Sequence, residues 1–139
     1  MRSLALPALW ALPAAAAAAG PGIPLQALTE ADVGADGLRN SACYAHDGPA
    51  VLVVASKKNA VINAAGDLLL LQRLDDGSPA GGARYGSNSF RLVISPAPGA
   101  AADVASDGRT HRPAQISITR RGTTSSYNAR WSCTRSGSA

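Results

Sequence analysis

The chain has 139 residues, enough for one small domain, and a formal net charge of +4. Only 4% of the residues are aromatic, which makes a nucleic-acid partner a poor match. There are two cysteines and no CxxC pair, which argues against a redox motif or a zinc ribbon.

The first nineteen residues read as a secretory signal peptide. Met1-Arg2-Ser3 is a short positive stretch, Leu4 to Leu12 is apolar, and the alanine run Ala14 to Ala19 offers small-x-small cleavage sites. The apolar part is too short, and too soon followed by Gly20-Pro21-Gly22, for a membrane span. A retained N-terminal anchor is the rival reading. The expected product is a single exported β domain over residues 20–139, with its core between Cys43 and Cys133, periplasmic or secreted and without a membrane span after cleavage near Ala19. In an oxidising compartment two cysteines most often form one structural disulfide. A Cys43–Cys133 bridge closes most of the domain into one loop, and such a loop stabilises by roughly 4–5 kcal/mol in the chain-entropy model.

In chain order, Gly20 to Pro24 reads as a flexible leader. Thr29-Glu30-Ala31-Asp32 is a candidate capping box opening a short helical turn, with Gly34 and Gly37 limiting its length. Asp47-Gly48-Pro49 is a turn, and Cys43 to His46 before it is open to being a strand of its own. Ala50 to Ser56 and Ala60 to Ala64 read as strands joined by the polar Lys57-Lys58-Asn59. After Ala65-Gly66, Asp67 to Leu74 holds four consecutive leucines; a helix is conceivable, but a buried strand fits the length and the preceding glycine. Asn88 to Ser95 alternates with Phe90, Leu92 and Ile94 inward. Pro113 to Arg121 alternates with Ala114, Ile116 and Ile118 inward. Ser126 to Cys133 places Tyr127, Ala129, Trp131 and Cys133 on one face, with Tyr127 and Trp131 expected in the core near the bridge.

Short strands at this spacing predict an all-β fold, a small antiparallel barrel or sandwich of about six to seven strands. Two connections, Asp75 to Ser89 and Pro96 to Arg112, are long enough to be functional or disordered. Disorder is the favoured reading for the second, and the first is left open. In an up-and-down meander of six strands, the Lys57-Lys58, Asp75–Ser89 and Arg121-Gly122 connections share one end. Cys43 and Cys133 meet at the other.

No catalytic constellation stands out. The two histidines, His46 and His111, are far apart in sequence, and neither a G-x-S-x-G elbow nor an HExxH pattern is present. No cofactor or metal is implied. Charge is uneven. Residues 20–80 carry four basic and seven acidic residues (4 − 7 = −3), and residues 81–139 carry eight and two (8 − 2 = +6). Such asymmetry can mark an anionic partner, although a solvated face that keeps the protein soluble is the favoured explanation. Gly81-Gly82-Ala83-Arg84-Tyr85-Gly86 lacks the ending of a phosphate loop and reads either as a glycine turn or as a binding loop presenting Arg84 and Tyr85. With Lys57, Lys58 and Arg121 at the same end, these residues make a basic rim suited to an anionic envelope polymer or an acidic protein patch.

Cys43, the β-rich stretch Ala50–Leu74, Gly81-Gly82-Ala83-Arg84-Tyr85, the strand with Phe90 and a late cysteine together resemble the periplasmic and membrane-bound inhibitors of C-type lysozyme. The resemblance covers Cys43 to Ile94. It implies a small exported β-barrel whose Ser-Gly-x-x-Tyr loop enters the lysozyme cleft, with Gly82 and Tyr85 at the loop positions. The family's loop serine falls at Gly81, and its second, lysine-containing motif after Phe90 has no match here. The expected function is a non-enzymatic exported protein that binds an anionic envelope partner. Lysozyme inhibition is the alternative, and a hydrolase with an unrecognised site is the third.

Overall fold

Two long strands at the C-terminal end set the frame. The computed structural model describes residues 22–34, 41–97, 103–104 and 108–134. The expected signal peptide lies outside the described residues, as do parts of the Pro96–Arg112 connection. The elements are β1 (Leu25–Gln26), α1 (Glu30–Val33), β2 (Cys43–Asp47), β3 (Ala50–Ala55), β4 (Asn59–Ala64) and β5 (Asp67–Arg73), then β6 (Ala83–Gly86), β7 (Phe90–Pro96), β8 (Asp103–Val104), β9 (Arg109–Arg120) and β10 (Thr123–Thr134). Strands β9 and β10 are each 12 residues long and pair along their whole length, from Arg120 opposite Thr123 to Arg109 opposite Thr134. The turn between them needs both central residues in the left-handed region, and Arg121 (φ 51°) and Gly122 (φ 82°) supply it. Ala65 (φ 54°) and Gly66 (φ 94°) do the same between β4 and β5. This turn geometry matches the right-handed twist of a hairpin.

Strands β2, β3, β4, β5, β6, β7, β9 and β10 are neighbours in that order, all antiparallel, and β10 returns to pair with β2. The sheet is therefore a closed eight-stranded barrel, which leaves no free edge in the ring. The disulfide forms at the closing seam, where Cys43 lies directly across from Cys133, 90 residues away. Short β1 pairs with β4, and β8 with β9.

The interior is filled with side chains. Val53, Ile62, Leu71, Tyr85, Leu92, Ile94, Ile116, Ile118 and Trp131 are all essentially fully buried. The alternation expected for the last three long strands holds, with Ala114, Ile116 and Ile118 inward on β9 and Trp131 and Cys133 inward on β10, but Tyr127, expected in the core near the bridge, is only half-buried and lies toward the other end. Four consecutive leucines behave differently from expectation. In a barrel wall a strand is dry on one side only. Leu71 is buried and Leu69 half-buried, while Leu68 and Leu70 face outward at 48% and 57% exposure.

The segment expected to be a loose leader is seated. Ile23 is buried at one end of the barrel. Its amide donates to Ser125 Oγ at 2.6 Å, and its carbonyl accepts from the Tyr127 hydroxyl. Leu28 N donates to Val51 O at 2.7 Å, so the chain runs from β10 across to β3 and β4. The capping box forms as read: Asp32 N donates to Thr29 Oγ1, and Thr29 N to Asp32 Oδ2.

Two strands change which loops share an end. Cys43–Asp47 is a strand of its own, and the first long connection contains both a 3-10 turn (Pro79–Gly81) and β6. Each added strand reverses the direction of every later strand. The bridge end thus carries Cys43, Cys133, the 56–58 turn and the 74–82 loop. The opposite, plugged end carries Ala65-Gly66, the 87–89 turn and Arg121-Gly122. The bridge accordingly lies beside Lys57-Lys58, not across the barrel from it.

The 74–82 loop is organised by Arg73. Its guanidinium pairs with Asp75 and donates to the carbonyls of Gly77 (3.1 Å), Asp76 (3.2 Å) and Lys57 (3.3 Å). Burial pushes the Asp75 carboxyl upward, but the hydrogen bonds from Arg73 and from the Arg84 amide outweigh it and hold the group below its ordinary value. Pro79 is buried under the loop, and its carbonyl accepts from Trp131 Nε1 at 2.9 Å.

Tyr85 lies inside the barrel, and its hydroxyl donates to Ser56 O at 2.9 Å. Burial pushes its phenol up to about 12, with Arg73 pulling down and Asp75 pushing up. Below the ordinary phenol value of about 10, folded and unfolded chains are both protonated at this position. As pH rises through about 10 to 12, only the unfolded chain loses the proton, so stability falls. Urea midpoints measured from about pH 9 upward should drop more steeply for the wild type than for Tyr85→Phe. Equal slopes would show that Tyr85 does not ionise late.

Candidate functional site

Arg84 and Tyr85 are adjacent in a strand, so they face opposite ways. Tyr85 belongs to the core, while Arg84 is exposed on the outer wall. A loop presenting both is thereby corrected to a strand presenting only the arginine. Across from Arg84 is Val93, and Arg91 sits opposite both Gly86 on β6 and Thr119 on β9. These registers put Arg84, Arg91, Val93 and Thr119 on one outer face. Gly86 matters to this arrangement, since a Cβ there would stand 2.6 Å from Arg91 Nη1. With no side chain at 86, Arg91 lies across β6.

Two concavities meet at Arg91. One, of about 560 Å³, is lined by Leu74, Asp75, Arg84, Arg91 and Val93. The other, of about 200 Å³, is lined by the Ser87–Arg91 turn region, Thr119 and Arg121. Together they form a shallow groove along the barrel wall, with Arg84 toward the bridge end, Arg91 in the middle and Arg121 at the plugged end. Asp75, the acid at its rim, is held by Arg73.

The expected site residues are therefore divided. Arg84 and Arg121 share the groove. Lys57 and Lys58 are exposed on the turn at the bridge end, and Arg121 is at the far end from them, because β6 adds a reversal between them. Arg91 was missed by sequence reasoning. It is an outward position in a strand read only for its inward Phe90, Leu92 and Ile94, and nothing local shows that its neighbour across the ladder is a glycine.

The two histidines come together on another part of the wall. His46 Nε2 lies 2.9 Å from Ser132 Oγ, and His111 Nδ1 lies 2.5 Å from the same oxygen. The rings meet edge to face, with centroids 6.0 Å apart. Ser132 has no exposed surface, so both rings lie over its hydroxyl. Arg109 stacks on Tyr44 beside them, 4.6 Å from the ring centre, and donates to Ser132 O at 2.9 Å. Among the described residues no group of three or more His, Cys, Asp or Glu side chains is placed to hold a metal ion.

The chain matches no family model, no curated protein and no solved structure. Among the described residues no helix is long and apolar enough to cross a membrane.

Proposed function

We propose that this is an exported, non-enzymatic protein that binds an anionic envelope partner through the groove lined by Arg84, Arg91 and Arg121. The observation that carries the reading is that Arg84 and Arg91 line one concavity and Arg91 and Arg121 the other, so that Arg91 joins the two. Guanidinium forks suit carboxylate and phosphate oxygens. A row of them along a barrel favours an extended polyanion over a small ion. The sequence supports export and the +6 balance of its second half.

Retention on a phosphocellulose column at low salt tests the reading. Wild-type protein should bind and elute as salt screens the charges. Arg84→Glu, Arg91→Glu and Arg121→Glu together should abolish retention, each reversal costing on the order of tenfold in affinity. Lys57→Glu with Lys58→Glu should leave most of it. Unchanged retention of the triple variant would remove the groove as the binding surface.

Inhibition of C-type lysozyme is the second reading. It is supported by the small disulfide-closed barrel alone, because Tyr85, at the family's loop position, is buried in the interior and does not project toward a cleft. Protection of a cell-wall suspension from lysozyme, titrated with this protein, decides it. No protection at large molar excess discards it.

A further inference from the structure

We propose that His46 and His111 form a two-imidazole site for a borderline-soft divalent transition-metal ion, with Cu(II) held most tightly. The two residues come from β2 and β9, strands that both flank β10 at the barrel seam. Their rings converge because the residue between them is a serine; a larger side chain would hold them apart. Both His46 Nε2 and His111 Nδ1 are aimed at one point, the Ser132 hydroxyl. The other nitrogen of His46, Nδ1, lies 3.2 Å from Gly48 O. A carbonyl can only accept, so Nδ1 carries the proton and neutral His46 presents the Nε2 lone pair toward the serine. A ring N–H donated to a backbone carbonyl is the usual outer support of a metal-bound histidine.

The serine hydroxyl has one proton. It donates to His46 Nε2 and accepts from His111 Nδ1 when both rings are neutral. A metal ion takes the place of these two hydrogen bonds: the Ser132 hydroxyl keeps its proton and rotates aside, the His111 ring carries its proton on Nε2 instead of Nδ1, and water fills the remaining positions. Imidazole ligands select copper, nickel and zinc, and affinity follows the order in which Cu(II) exceeds Ni(II) and Zn(II). Arg109 is turned to the Tyr44 ring and the Ser132 carbonyl, and Arg130 lies across from His46. These neighbouring positive charges oppose every divalent ion alike, so selection against Mg(II) and Ca(II) comes from their preference for oxygen ligands over imidazole.

The test uses disulfide-intact protein purified without a histidine tag. Cu(II) is titrated in by calorimetry at neutral pH, and the loaded protein is examined by pulsed electron paramagnetic resonance. One Cu(II) per chain is expected, with modulation from the remote nitrogens of two imidazoles. His46→Ala and His111→Ala should each lower affinity tenfold or more, and Ser132→Ala should retain binding. If either histidine variant fails to fold, the wild-type spectrum still decides, because a spectrum without two imidazole nitrogens overturns the site. Unchanged affinity in a folded double variant, or binding of Mg(II) as tight as of Cu(II), overturns it too.

Discussion

Replacing Cys43 and Cys133 together by alanine is expected to lower the stability of the domain by about 4–5 kcal/mol, in the chain-entropy model of a cross-link. The bridge joins residues 90 apart in sequence, so it removes almost the whole domain's freedom from the unfolded chain. It also stands where a closed barrel is most demanding. β2 and β10 are the first and last strands of the ring, and their pairing closes it. Loop-closure entropy falls on that seam, and the covalent bond removes most of it in advance. Both cysteines are buried, so alanine leaves a small void but no stranded hydroxyl. Urea titration of the wild type and of the double variant measures the difference. A loss below about 1 kcal/mol would mean that the unfolded chain is already compact enough to hold its ends together.

Trp131→Ala is expected to cost about 3–5 kcal/mol, the usual range for removing a large buried aromatic side chain. Trp131 is among the largest fully buried residues in the barrel. Besides filling the interior beside the bridge, its indole N–H fastens the 74–82 loop over the bridge end by donating to Pro79 O. Trp131→Phe separates the two roles. It keeps most of the volume and strands the Pro79 carbonyl, at a cost of about 1–3 kcal/mol. Urea midpoints of the three proteins give both figures. If Phe costs as much as Ala, the hydrogen bond to the loop carries the effect; if Phe costs nothing, the loop is held by Arg73 and the buried Pro79 alone.

Much of the wall was legible in local alternation. Ile116 and Ile118 on β9, Trp131 and Cys133 on β10, and Phe90, Leu92 and Ile94 on β7 each declare a face without help from other strands. The capping box at Thr29 is equally local, because its partners are three residues apart. The Leu68–Leu71 run was legible as a strand but not as a half-exposed one, since consecutive leucines carry no period and the face is chosen by where Leu71 meets the interior. β6 was hidden because four residues between glycine-rich flanks look like loop.

By itself the sequence determined the all-β class, the pairing of the only two cysteines and the inward face of the long strands. Each of these follows from composition or from a period-2 pattern that any single strand carries. Only the tertiary structure decided that the sheet closes into a barrel and that Ile23 plugs one end. It likewise decided which basic residues share a groove and that His46 and His111 meet over Ser132. Those outcomes depend on register and on the parity of the strand count. One unrecognised strand, β6, is enough to send Arg121 to the opposite end from Lys57, because each reversal of an antiparallel chain moves everything after it.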